Sequence, residues 1–148
     1  MSQMNLAILW PTVALAALIF AVWAILLCKR FAHIAANRPT AANFAHSEAV
    51  GRYFRPVERP AQNLANLFEM PVLYFALVPL LLVTGSASGG QVALAWAFVT
   101  LRLVHTVIHI GPNTIRTRAR IYIASSAVLF AMWLGLVIDL LVRAGARM

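Results

Sequence analysis

Charged side chains are scarce in this chain of 148 residues. They make up 11% of it, and only four are acidic, whereas soluble domains carry about 25% charged residues. Hydrophobic residues make up 62%. This composition excludes disordered and collagen-like chains and favours insertion into a membrane. The single cysteine, Cys28, rules out an intrachain disulfide.

The few charges are mostly positive, and their positions are informative. Twelve Lys and Arg residues against four acidic ones give a formal net charge of +8. A basic chain can indicate a nucleic-acid partner. Here nine of the twelve cations fall in two segments between apolar runs, 29–59 and 116–120. Such clustering is typical of cytoplasmic loops, so it predicts membrane topology and argues against nucleic acid.

Four apolar runs are long enough to cross a bilayer, which takes about 20 residues. They cover residues 6–28, 64–84, 91–110 and 121–142. We therefore predict an all-α, integral membrane four-helix bundle, with residues 1–148 forming one transmembrane domain. Pro71 and Pro79 lie in the second run, where they predict a kink and not a boundary. The connection from Phe31 to Glu58 has room for a short helix.

The first run predicts the orientation. No basic residue precedes it and Lys29–Arg30 follow it directly, the reverse of a cleaved signal peptide. We expect a retained anchor with both termini outside, in an inner or plasma membrane, and with residues 29–63 in the cytoplasm. Only Arg143 and Arg147 then lie outside.

Glu69 and Arg102 are ionisable residues inside predicted spans, where such groups are costly and usually functional. Counted along their helices at 1.5 Å per residue, they lie roughly 10 Å and 12 Å from the cytoplasmic surface. Equal depth predicts an ion pair between them. This pair has two interpretations, structural contact between helices or part of a binding site.

Three predicted helices carry polar stripes at helical spacing in their cytoplasmic halves. The stripes are Arg59, Asn63, Asn66 and Glu69; Arg102, His105 and His109; and Arg118, Tyr122 and Ser125. Together they predict a pocket open to the cytoplasm. Guanidinium groups match planar carboxylates, and Glu69 can accept from an ammonium group. A small zwitterion with more than one carboxylate fits this wall.

These residues carry a resemblance to a known family. The segments Asn66-Leu-Phe-Glu69-Met-Pro71 and Arg102-Leu-Val-His105-Thr-Val-Ile-His109, followed by Arg118 and Tyr122, resemble the MAPEG family of membrane-associated proteins in eicosanoid and glutathione metabolism, in a divergent, bacterial-type form. The resemblance covers nearly the whole chain. It implies a homotrimer of four-helix protomers that binds glutathione as co-substrate between subunits, near the cytoplasmic face.

The resemblance also implies roles for individual residues. The glutathione site would consist of Arg59, Asn66, Glu69, Arg102, His105, His109 and Tyr122, with Arg118 as the catalytic residue. A cation beside the thiol lowers the pKa of the thiol, and the thiolate is the nucleophile. The implied function is a transferase or peroxidase that acts on small lipophilic electrophiles. The resemblance leaves the choice between these two chemistries open.

Other interpretations remain beside this one. For Arg118, the alternative to a catalytic role is that of an ordinary cation in a positive cytoplasmic loop, whose charged end snorkels to the membrane surface. Gln62 and His109 replace an Arg and a Tyr that glutathione-using members commonly carry. The alternative function is therefore a non-catalytic membrane trimer that binds a lipid headgroup or another anion in the cationic pocket. His105 and His109 have the i, i+4 spacing of some zinc sites, but without an HExxH context we expect no metal.

Overall fold

The computed structural model describes residues 6–146, which fold into helices without any strand. Six α-helices follow one another along the chain: α1 (Leu9–Ala36), α2 (Ser47–Phe54), α3 (Arg59–Leu67), α4 (Met70–Val83), α5 (Gly89–Ile110) and α6 (Ile115–Gly145). Helices α1, α5 and α6, and α3 together with α4, give four segments that are long and apolar enough to cross a membrane. The predicted all-α bundle with four spans is therefore confirmed. Arg147 lies outside the described residues.

Helix α1 continues well past Cys28, the predicted end of the first span, and ends at Ala36. At 1.5 Å per residue it is about 42 Å long, which exceeds a hydrocarbon core of about 30 Å. Residues 29–36 contain no glycine or proline, so nothing stops the helix there. Pro39 then disfavours helical backbone at the residue before it.

The long connection after α1 is folded, and it contains the short helix that its length allows. The side chain of His46 accepts a hydrogen bond from the backbone N–H of Ala49, 3.2 Å away, and so caps the start of α2. Arg30 of α1 lies 3.4 Å from the carboxylate of Glu58 and 4.8 Å from the centre of the Phe54 ring. These contacts hold the connection between α1 and α3 against the C-terminal part of α1.

A tight turn of five residues joins α4 to α5. The N–H of Ser86 bonds to the carbonyl of Leu81, and the N–H of Gly85 bonds to the carbonyl of Leu82. This is the Schellman pattern, which needs a residue in the left-handed region after the helix. Gly85, with φ +68°, supplies it.

The hydrophobic core lies in the half of the bundle nearer this turn. The ring of Tyr74 stacks on that of Phe98 with 5.2 Å between centroids, and its hydroxyl lies 3.1 Å from that of Thr12. Leu77, Leu81 and other apolar side chains of the described spans surround this pair. Helices in a membrane associate mainly through such packing. Most of the buried polar residues lie in the other half, next to the long connection.

Candidate functional site

The second span is interrupted at Phe68 and Glu69, between α3 and α4. Glu69 has φ −89° and ψ −97°, far from the helical values near −63° and −42°. Pro71 accounts for the break, because proline lacks an N–H and its ring clashes with the carbonyl four residues earlier in a continuous helix, that of Leu67. Pro79, by contrast, lies inside α4. The span continues through the break, but the helix does not.

Arg102 of α5 compensates for this break. Its side chain is 0% exposed, and its Nη2 donates a hydrogen bond to the main-chain carbonyl of Asn66. In an unbroken helix, that carbonyl would accept from the N–H of residue 70. A bilayer core offers no water to a freed carbonyl, so a neighbouring helix must supply the donor. The guanidinium carbon of Arg102 also lies 5.2 Å from the centre of the Tyr122 ring.

The predicted ion pair between Glu69 and Arg102 is wrong. Neither of the two ion pairs found within residues 6–146 includes either residue. The carboxylate of Glu69 accepts instead from the hydroxyl of Tyr122, at 2.9 Å. The prediction assumed that Glu69 continues the helical face of Asn66, and the break ends that register.

His105 and His109 lie side by side in the interior, 1% and 2% exposed, with 5.5 Å between ring centroids. Nδ1 of His105 is 3.3 Å from the carbonyl of Arg118, so this nitrogen donates. Nδ1 of His109 is 3.3 Å from the amide nitrogen of Asn66, so it accepts. The two rings therefore connect α5 to α6 and to α3.

Arg118 is held in the first turns of α6 and is half-buried. Its Nη1 donates to Oδ1 of Asn113 at 2.7 Å. Arg116 and Arg120, on the same helix, are exposed. Arg118 thus differs from its basic neighbours in having a fixed partner.

Side chains of α3, α5 and α6 line an open cavity of about 250 Å³. Its polar wall consists of Asn66, His105, Arg118 and Tyr122, and the remainder is apolar. Three helices that are separate in the sequence thus bring four of the eight predicted site residues to one cavity.

The other four predicted residues are not in the wall of this cavity, but three of them bond to residues that are. Arg102 and His109 are buried, and both contact Asn66, which lines the cavity. Glu69 contacts Tyr122. Arg59 donates to the carbonyl of Gly111 at 2.6 Å and ties the start of α3 to the turn between α5 and α6. The assignment of all eight to a ligand site stays a prediction.

The polar interior has hydrogen-bonding capacity that the described residues do not use. Nε and Nη1 of Arg102, and Nε2 of both His105 and His109, are buried without a partner among residues 6–146. Unpaired buried polar atoms are uncommon and usually indicate water, an ion or a ligand. The cluster therefore has the donors and acceptors that a polar ligand needs.

Asn113 was not identified from the sequence, although it orients Arg118. It follows Gly111-Pro112 and has φ +54°, a left-handed conformation that asparagine tolerates better than most residues. Its place in the turn after α5 was the available signal. Asn63 belongs to the predicted stripe, but it is fully buried and donates to Thr106 at 3.1 Å, which makes it a link between α3 and α5.

Comparison with known proteins gives one match. The family model described as "MAPEG family" matches residues 8–138, which is most of the chain. No curated protein and no solved structure matches it.

Proposed function

Because the chain belongs to the MAPEG family, we propose that it is a membrane-bound enzyme that uses glutathione against lipophilic electrophiles, as a transferase or a peroxidase. Membership supports a membrane protein of the family of glutathione and eicosanoid metabolism. The observation that carries the proposal is the cavity in which Asn66, His105, Arg118 and Tyr122 meet.

The residues around the cavity fit the groups of glutathione. The tripeptide has two carboxylates, one ammonium group and one thiol. Arg59, Arg102 and Arg118 supply guanidinium groups for the carboxylates and the sulfur. Glu69 supplies a carboxylate for the ammonium group, and Tyr122 orients that carboxylate. Asn66, His105 and His109 add further hydrogen-bonding positions.

Arg118 would be the catalytic residue. The single described hydrogen bond of its side chain goes to the neutral amide of Asn113, so its positive charge is not cancelled by a carboxylate. A cation held beside a thiol favours the thiolate, which is the reactive form. In conjugation, the thiolate sulfur forms a bond to the electrophilic carbon, and the leaving group departs with its electron pair.

The size of the cavity supports a homotrimer. At about 250 Å³ it is smaller than the roughly 300 to 1,000 Å³ typical of small-molecule pockets. Glu69, which lies at its margin beside Tyr122, is exposed on the protomer. A second copy against this margin would complete the wall, in agreement with a site between subunits.

The proposed topology has both termini outside and the long basic connection in the cytoplasm, in an inner or plasma membrane. The exposed cations Lys29, Arg38, Arg52 and Arg55 support it, since positive segments are retained on the cytoplasmic side. A reporter fused to the C-terminus tests this orientation. Activity of a reporter that works only in the cytoplasm would reverse it.

The second candidate is a non-catalytic trimer that binds a lipid headgroup or another anion in the same cavity. Gln62 favours it, because this exposed amide stands where glutathione-using members carry an arginine. Fewer cations mean weaker binding of carboxylates.

A conjugation assay separates the two candidates. The purified chain is mixed with glutathione and an aromatic halide, and release of halide is followed. We expect turnover above the uncatalysed rate. Turnover at the uncatalysed rate with the halide, and also with a lipid hydroperoxide, would leave only the non-catalytic candidate.

A further inference from the structure

A second cavity lies at the other end of the bundle, beside the turn between α4 and α5. Its volume is about 450 Å³. The polar part of its wall consists of Ser86, Ser88, Gln91, Asp139 and Arg143. None of these residues belongs to the proposed glutathione site. The turn connects two membrane spans, so this cavity lies at the level of lipid headgroups.

Asp139 and Arg143 form a fixed part of this wall. Their side chains pair at 2.8 Å, as their i, i+4 spacing permits. Arg143 also donates to the carbonyls of Thr84 and Gly85, so it caps the end of α4. Ser86 and Arg143 both bond to Oδ2 of Asp139, which leaves Oδ1 without a hydrogen-bond partner among the described residues.

Gln91 supplies a second acceptor, and this one is buried. Its side chain is 7% exposed, and its Nε2 donates to the carbonyl of Met132 at 3.0 Å. Only the amide nitrogen can donate, so this bond fixes the orientation of the amide. Its oxygen has no partner within residues 6–146. Gly135 makes room for this arrangement, because a Cβ there would lie 2.8 Å from Nε2.

The start of α5 supplies donors to the same cavity. The first N–H groups of a helix have no partner inside it, and together with the helix dipole they favour phosphate. Ser88 caps this helix by accepting from the N–H of Gln91 at 3.3 Å, and the next residues are Gly89 and Gly90. Gly90 and the Ser88 hydroxyl belong to the wall of the cavity.

The rest of the wall is apolar and follows α5 and α6 toward the middle of the membrane. Leu94 lies one turn below Gln91, and Gly135 and Ala131 lie one and two turns from Asp139 along α6. These small residues leave a groove beside the polar end. Such a wall suits a molecule with a polar head and a hydrocarbon chain.

From these contacts we infer that this cavity is a binding site for an aminophospholipid, with the primary ammonium at Gln91 and Asp139 and the phosphate at the start of α5. A primary ammonium donates three hydrogen bonds, and this wall holds two acceptors that the described residues do not use, one of them charged. A trimethylated ammonium has no N–H and cannot use them. The site therefore selects phosphatidylethanolamine over phosphatidylcholine with the same acyl chains.

Native mass spectrometry of the delipidated full chain in detergent measures this preference. The chain is titrated with dioleoyl phosphatidylethanolamine and, separately, with dioleoyl phosphatidylcholine. Hydrogen bonds to a charged group correspond to about tenfold in affinity, so we expect the first lipid to bind about tenfold more tightly. Equal affinity for the two lipids would overturn the inference.

Two variants test which residues cause the preference for phosphatidylethanolamine. Gln91→Leu removes the buried acceptor, and Asp139→Asn removes the negative charge while it keeps the size of the side chain. Both should reduce the preference to near unity. Gln62→Leu makes the same chemical change as the first variant at the opposite end of the bundle, and it should keep the preference of the parent chain.

Each result decides the inference. Loss of the preference in both variants, with Gln62→Leu unchanged, supports it. Persistence in either variant overturns it, because both groups are assigned to the same ammonium. If Gln91→Leu does not fold, Asp139→Asn decides alone. Glutathione turnover is measured in parallel, so failure here and failure of the proposed enzyme are independent results.

Discussion

Arg118 is the residue whose surroundings best suit the activation of a thiol. Its guanidinium is anchored by a neutral amide, whereas the guanidinium of Arg143 at the other end of the bundle is paired with a carboxylate. A neutral anchor fixes the position of a cation without cancelling its charge. The electrostatic effect on a nearby thiol is therefore retained.

Replacing Arg118 tests this role. Arg118→Ala should lower kcat for conjugation about 10- to 100-fold, since loss of the cation raises the pKa of the bound thiol and each unit corresponds to a factor of ten. Arg118→Lys should retain part of the rate. The measurement is initial rate against glutathione concentration.

Arg120→Ala is the matched control for this experiment. Arg120 is exposed on the same helix and should be replaceable with little change in kcat. An equal loss of kcat in Arg118→Ala and Arg120→Ala would mean that any positive charge in this segment has the same effect. Arg118 would then have no specific role at the thiol.

Tyr122→Phe addresses the contact that replaces the predicted ion pair. It removes the hydroxyl that orients Glu69 but keeps the aromatic ring beside Arg102. A hydrogen bond to a charged group contributes about 1.5 to 3 kcal/mol, so KM for glutathione should rise about tenfold or more. Steady-state kinetics at fixed electrophile concentration measures it.

Tyr74→Phe serves as its control, because it removes a hydroxyl from the apolar half of the bundle. It should lower the melting temperature without changing KM. A change in KM of the same size in both variants would contradict the assignment of Glu69 and Tyr122 to the site.

At the level of elements, the turn between α4 and α5 depends on the conformation of one glycine. Gly85→Ala forces a side chain into the left-handed region, which costs about 1 to 2 kcal/mol, and should lower the melting temperature. Gly89→Ala is the control, because its backbone is not left-handed and a Cβ there meets nothing within 4 Å. Equal melting temperatures for the two variants would show that the turn is not under this constraint.

The membrane spans were predictable because length and hydropathy determine them directly. The ends of the helices were not, because they depend on local stop signals. Residues 29–36 are polar enough to leave the membrane but contain nothing that ends a helix, so α1 runs on to Ala36. At Pro71 the sequence indicated a disturbance, but not whether the helix would bend or break.

The residues that meet at the candidate site could be predicted from the sequence, but the contacts between them could not. Helical spacing placed Asn66, His105, Arg118 and Tyr122 toward one another, and they share a cavity. The partner of Glu69 depended on the backbone angles at the break, which no periodic pattern contains. The support of Arg118 by Asn113 depended on a turn conformation for the same reason.

The whole molecule divides into two halves that pack differently. Near the turn between α4 and α5 the spans pack through aromatic and aliphatic side chains, whereas in the other half hydrogen bonds around the candidate site join them. Changes in the hydrogen-bonded half should therefore affect both ligand binding and the contacts between spans.

Glutathione should stabilise the whole assembly if the proposal is correct. A ligand at 100 times its dissociation constant adds about 2.7 kcal/mol to the free energy of unfolding. A thermal scan in detergent should therefore show a melting temperature that rises with glutathione concentration. Absence of a shift at millimolar glutathione would favour the non-catalytic trimer.

The bond between Arg102 and the main-chain carbonyl of Asn66 also gives the bundle a contact that does not depend on a carboxylate. A peptide carbonyl does not take up a proton in the range where carboxylates do. Acid that protonates a glutamate would break an ion pair between that glutamate and an arginine, but it leaves this contact between the second and third spans in place. The bond from Arg102 should therefore still act at an acidity at which a buried carboxylate no longer can.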